Sequence, residues 1–131
     1  MITPNRKIGN TFESNLCELL YEHGYWAHNL AQNASGQPAD VIAVKNGTSY
    51  LIDCKVCRTN RFSMARMEEN QDLSMELWKS CGNGEGWFAV LIGGQVYMIK
   101  HSVVKRFKNR QSYMSEADIK NFGTLIGEWL E

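Results

Sequence analysis

Two short apolar runs, Val41–Val44 and Tyr50–Ile52, flank Asn46-Gly47. Asn-Gly readily places both central residues of a tight turn at positive φ, so the stretch predicts an antiparallel hairpin. Pairing the runs across that turn brings Asp40, at the start of the first strand, near Asp53 at the end of the second. Strand side chains alternate faces, so Asp53 and Lys55 point one way while Ile52, Cys54 and Val56 point the other. The hairpin therefore predicts two carboxylates and an ammonium in one small volume. Removing charges from water is costly, so a cluster of them at a strand end points to a use. We read it as a divalent-metal site with a lysine beside it. The bland alternative is an ordinary salt bridge of Lys55 with Asp53 or Asp40.

The remaining chain supplies one domain's worth of structure around that hairpin: 131 residues suffice for one core and not for two. Phe12, Leu16, Leu19 and Leu20 recur on one helical face, predicting a helix over Gly9–His23 stopped by Gly24. Glu13 falls about 100° round from Phe12, on the shoulder of that face. A short strand over Tyr25–Leu30 and a polar loop over Gln32–Gln37 lead into the hairpin. Val56–Ser63 reads as a basic loop. A helix follows over Glu68–Cys81, with Met67, Leu73, Leu77, Trp78 and Cys81 facing inward and Gly82-Asn83-Gly84 as its stop. Trp87–Ile92 and Gln95–Ile99 form a second hairpin about Gly93-Gly94. His101–Lys108 is predicted helical, and Ser115 with Asp118 resembles a capping box for a short helix to Phe122. Thr124–Glu131 fits helix or strand equally. The order, αβββαββ plus a helical tail, implies an α/β (α+β) fold: a mixed central sheet with helices on its faces.

Charge separates the function classes less sharply. Fourteen basic and fourteen acidic residues balance to zero, which gives no support to a nucleic-acid partner. The basic residues are nevertheless clustered: Arg6 and Lys7 near the start, Arg58, Arg61 and Arg66 after the hairpin, then Lys105, Arg106, Lys108 and Arg110. Each cluster taken alone reads as a solvated face. The apolar runs are too short to span a membrane, and the first residues lack a signal-peptide core, so the expectation is a cytoplasmic chain. Cys54 and Cys57 have C-x2-C spacing without a second ligand pair, and four free thiols are expected rather than zinc. His23, His28 and His101 show no ligand spacing and are expected to face solvent or a backbone partner. Trp26, Trp78, Trp87 and Trp129 read as core or interface residues.

The order of Glu13 on a helix, Pro38-x-Asp40 before a strand and Asp53-x-Lys55 at a strand end resembles the PD-(D/E)xK nuclease superfamily. Within it the chain is most similar to Holliday-junction resolvases of the archaeal, RecU and phage types. The likeness includes Arg6-Lys7-Ile8-Gly9-Asn10-Thr11-Phe12-Glu13, the Ala34–Asp40 loop, and Gln71 on the helix after the lysine strand. It runs from Arg6 to Ile99. The resemblance implies a restriction-endonuclease-like core and a metal-dependent DNA endonuclease acting in recombination or repair. It implies Glu13, Asp40, Asp53, Lys55 and Gln71 as catalytic residues. Asp40, Asp53, the Cys54 carbonyl and Glu13 would hold the metal, and such hard oxygen ligands suit Mg²⁺ or Mn²⁺. Lys55 would orient the attacking water or offset transition-state charge. Arg6, Lys7, Asn10, Arg58, Arg61 and Arg66 would contact phosphates. A two-fold junction that needs two opposed cuts implies a homodimer, with the second hairpin and the Trp129-Leu130 tail as candidate surfaces. Two readings stay open beside it: a restriction-, repair- or nicking-type nuclease of the same fold, and a non-catalytic DNA- or partner-binding module.

Overall fold

The computed structural model describes residues 4–30 and 39–131, with side chains from residue 11 onward. Helix α1 (Pro4–Glu22) begins earlier than periodicity alone predicts. Pro4 suits a first helical turn, where its missing N–H costs no bond. Phe12, Leu16 and Leu20 form the buried stripe, and Gly24 ends the element at φ +84°. Strand β1 (Trp26–Asn29) then leads to β2 (Val41–Lys45) and β3 (Thr48–Val56). Asn46 and Gly47 sit at φ 51° and 77°, the all-positive turn the dipeptide favours. The register pairs Val41 with Ile52, and the Asp40 amide donates to the Ile52 carbonyl at 3.0 Å.

Beyond β3 the order is β4 (Arg61–Ser63), a 3₁₀ turn (Met64–Arg66), α2 (Glu69–Ser80), β5 (Trp87–Ile92) and β6 (Gln95–Lys100). The chain closes with α3 (His101–Lys108), β7 (Tyr113–Ser115), α4 (Glu116–Phe122), β8 (Thr124–Leu125) and α5 (Ile126–Trp129). Six strands form one sheet in the order β1-β2-β3-β5-β6-β8, with β3 and β5 parallel and the other neighbours antiparallel. That is the mixed sheet flanked by helices expected from the sequence. The basic loop expectation over Val56–Ser63 is corrected in part, because β4 pairs with β7 in a separate two-stranded sheet. A three-residue strand whose partner lies some fifty residues on leaves almost no local signal. Thr124–Glu131 divides, a strand against β6 followed by one helical turn.

Two apolar layers sandwich the sheet. One holds the α1 stripe with Ile52, Val41, Ala43, Met98 and Leu130; the other holds Leu51, Phe88, Val90 and Ile99 beneath α2, α3 and α4. Trp129 lies among the rings of Tyr25, Tyr50 and Trp87, which ties the tail to the sheet and leaves Trp129, Tyr50 and Trp87 partly exposed. The second hairpin buries most of its apolar side chains in the two layers, with Trp87, Leu91 and Val96 partly exposed. The inward face predicted for α2 is also corrected: Leu73 and Leu77 are 59% and 64% exposed, Cys81 is exposed, and Met75 is the residue buried. Met67 and Trp78 do face inward. α2 settles on its Met75 side because Gly86 leaves room there; a Cβ at Gly86 would meet the Met75 sulfur at 2.7 Å. Among the described residues no helix is long and apolar enough to cross a membrane.

Candidate active site

The alternation of β3 does what the strand period requires. Ile52, Cys54 and Val56 enter the layer beneath α1, while Asp53 and Lys55 face the other way. Asp53 is 2% exposed, and its Oδ2 lies 2.9 Å from Lys55 Nζ. That contact is close as an ion pair, but Asp53 Oδ2 gains no hydrogen bond of good geometry. The hairpin register sets Asp40 against the end of the same strand, where its Oδ2 accepts from the Cys54 amide at 2.6 Å. The Glu13 carboxyl, half-buried on α1, is within hydrogen-bonding reach of Asp40 and feels the charge of Asp53.

Gln71 completes the group from the first turn of α2. Its Oε1 accepts from Lys55 Nζ at 3.1 Å and from the Glu68 amide at 3.2 Å, and its Nε2 donates to Asp53 Oδ1 at 3.4 Å. The helix-capping bond to Glu68 thus holds the amide in the orientation that meets both members of the ion pair. Glu13, Asp40, Asp53, Lys55 and Gln71, drawn from a helix, a loop, a strand and a second helix, converge on one place.

The electrostatics show what the group lacks. Burial raises the Asp53 pKa to about 8; Lys55 works against the rise, and the Asp40 charge adds to it. Burial raises Asp40 as well, opposed by its hydrogen bonds to Asp53 and the Cys54 amide. Glu13 is raised by burial, with Asp40 as a hydrogen-bond partner opposing and Asp53 reinforcing. Three carboxyl groups therefore share a single ammonium, and each holds its proton harder than in water. This donor set fits a hard divalent cation, which would supply the missing positive charge through oxygen ligands.

The basic residues are placed less uniformly. Arg58, Arg61 and Arg66 line a cavity of about 450 Å³ that also takes in Cys54 and Cys57 at the end of β3. Arg61 lies over the Tyr113 ring at 4.4 Å, and Arg66 donates to the Val56 carbonyl at 2.8 Å. Arg6, Lys7 and Asn10 fall in the opening turns of α1, and their side chains lie outside the described residues, as does the Ala34–Pro38 loop.

His101 departs from expectation: it is 4% exposed, and its Nε2 lies 2.6 Å from Asp72 Oδ1. Lys105 Nζ reaches both Asp72 and Glu76, at 3.4 and 3.1 Å. Burial works to raise the Asp72 pKa, but the His101 hydrogen bond and Lys105 outweigh it and hold the carboxyl below its usual range. The cluster of Asp72, Glu76 and His101 anchors α2 to the start of α3, one residue along from Gln71. Only the pairing of two helices reveals it, since no fixed sequence spacing joins residues 72 and 101. All four cysteines are free thiols.

Comparison with known proteins places the fold and the family. A crystal structure of Hjc, a Holliday junction resolvase from Archaeoglobus fulgidus, superposes with a TM-score of 0.73 at 18% identity, over 94% of this chain and 100% of that one. A looser likeness, to the crystal structure of SSO0001, has a TM-score of 0.47 at 14% identity, over 82% of this chain and 59% of that one. Among curated proteins none matches significantly. The model of the family described as archaeal Holliday junction resolvase (Hjc) matches residues 4–128, nearly the whole chain. The chain belongs to the archaeal Holliday junction resolvase family, whose members are junction-resolving nucleases.

Proposed function

We propose that the protein is a Mg²⁺-dependent endodeoxyribonuclease that cuts four-way DNA junctions as a homodimer, using Glu13, Asp40, Asp53, Lys55 and Gln71. The observation that carries this is the meeting of three acid groups and one amine, with a buried Asp53 oxygen 2.9 Å from the Lys55 ammonium. Asp40, Asp53, the Cys54 carbonyl and Glu13 would hold the cation. When bound, the cation acts as a Lewis acid that makes water a nucleophile near neutral pH and draws charge off the phosphate.

The chain's own groups do the rest. Lys55, 2.9 Å from Asp53, places an ammonium where negative charge develops on the phosphate oxygens, and can orient the attacking water. Gln71 fixes the Lys55 amine through Oε1 and Asp53 through Nε2, so neither must reorganise during the reaction. Arg58, Arg61 and Arg66 line the neighbouring cavity with positive charge and without a carboxylate, a lining suited to the phosphates flanking the cut. Gln71→Ala is expected to lower the cleavage rate roughly tenfold with little change in junction affinity, because it loosens two charged groups without removing either. Single-turnover kinetics at saturating protein measure this, and a wild-type rate would remove Gln71 from the machinery.

The homodimer follows from substrate symmetry: two strands of like polarity must be cut, and one site cannot reach both. Leu73 and Leu77, four residues apart on α2, form the exposed apolar stripe suited to an isologous contact. Converting both to Glu is expected to give a monomer in sedimentation analysis that nicks one strand without the paired cut. A dimer that survives the double substitution would place the contact elsewhere.

A further inference from the structure

The basic residues of α3 do not all have structural work. Lys105 pairs with Asp72 and Glu76, and Lys108 donates to the Met67 carbonyl at 2.7 Å, which ties the end of α3 to the approach to α2. Arg106 and Arg110 have no ion pair or hydrogen bond through their guanidinium groups among the described residues. Both line a cavity of about 250 Å³ together with Phe107, Gln111 and Phe122. No carboxylate lines it. Phe122 is 50% exposed and meets Phe107 edge-on, with ring centroids 5.2 Å apart. Cations in a last helical turn complement the helix dipole, but Lys105 and Lys108 already meet that need, and a dipole asks for no exposed ring.

We propose that this cavity is a second DNA-strand subsite, separate from the cutting centre: Arg106 and Arg110 take backbone phosphates, and the Phe122 ring packs against the adjoining sugar or base. Guanidinium groups match phosphate geometry, and an exposed ring beside them is the pairing that strand-binding grooves use. The helices that carry the cavity, α3 and α4, pack on the sheet face that bears the cutting centre. Val104, Ile119 and Phe107 belong to the apolar layer that also holds Leu51 and Phe88, and this is the sheet face toward which Asp53 and Lys55 point. The subsite shares no residue with the candidate active site and would hold part of a junction arm away from the cut.

This inference rests on the junction-cutting reading, and the test separates the two. A synthetic four-way junction is titrated with the full-length protein in chelator at several salt concentrations between roughly 50 and 200 mM, where each phosphate contact contributes about 0.9 to the salt slope. Arg106→Gln/Arg110→Gln is expected to weaken binding roughly tenfold at the low end and to make the slope shallower by about 2. Phe122→Ala is expected to weaken binding by about fivefold with the slope unchanged, because stacking carries no counterion release. Cleavage at saturating protein with Mg²⁺ should stay at the wild-type rate in both variants, because saturation offsets the weakened binding. If the wild type binds and cuts while the variants keep its affinity and slope, the subsite is wrong and the nuclease reading stands. If the wild type neither binds nor cuts the junction, both fall.

Discussion

Asp53→Asn is expected to lower Mg²⁺-dependent junction cleavage by on the order of 10²–10³-fold, or more, while junction binding in chelator stays within about twofold. The substitution keeps the shape of the side chain and removes the charge on which the site converges. Asp53 is the most buried of the three acids, and its Oδ2 faces Lys55 at 2.9 Å with no hydrogen bond of good geometry beside that ion pair. An amide there offers a poorer ligand to a hard cation and leaves the Lys55 ammonium without its counter-ion. Lys55→Ala should fall in the same range, and the double variant should be little worse than either single, because groups that act as a unit do not add. Separate titrations of Mn²⁺ by calorimetry should show binding to the wild type and none to Asp53→Asn. Cleavage of the junction by Asp53→Asn at the wild-type rate would overturn the assignment of this cluster as the catalytic centre.

The second large effect is on stability. Folded Asp53 keeps its proton up to about pH 8, whereas an unfolded Asp releases it near 3.8. Between those values the folded state binds more protons than the unfolded one, so stability falls as pH rises. Each unit of pH within the window costs up to about 1.4 kcal/mol for such a group. Asp40 and Glu13, raised by burial, add in the same direction. Asp72 and Glu85, held low, act oppositely, but only as pH falls below their unfolded values of 3.8 and 4.5, outside the range compared here. Metal-free protein should therefore melt several degrees lower at pH 8 than at pH 5, as read by circular dichroism in chelator. Asp53→Asn should flatten that dependence and, without metal, exceed the wild type in melting temperature at pH 8. Mg²⁺ or Mn²⁺ should restore the wild type at pH 8 and do nothing for the variant. Parallel pH profiles for the two proteins would show that burial does not hold the Asp53 proton up to about pH 8.

Much of this was legible in the chain because it was local. Asn46-Gly47 sets a turn, the turn sets the register, and the register alone brings Asp40 to the end of β3; period-two alternation then puts Asp53 and Lys55 on one face. The stripe of Phe12, Leu16 and Leu20 likewise located α1 and left Glu13 on its shoulder, because helix geometry needs no partner to be read. The Gln71 contact was foreshadowed only by resemblance, since a glutamine on a helix carries no periodic signal of its own.

What only tertiary structure decided were the choices between equally good local answers. α2 carries two apolar stripes, Leu73 with Leu77 and Met75 with Trp78, and the space left by Gly86 chose the second as the buried one. β4 and β7 become strands only by finding each other, and His101 becomes a buried partner of Asp72 only when α3 docks on α2. Short-range sterics and side-chain periodicity act within a few residues, so sequence determines turns, faces and register by itself. Which of two compatible faces is removed from water depends on surfaces far apart in the chain, and that choice belongs to packing.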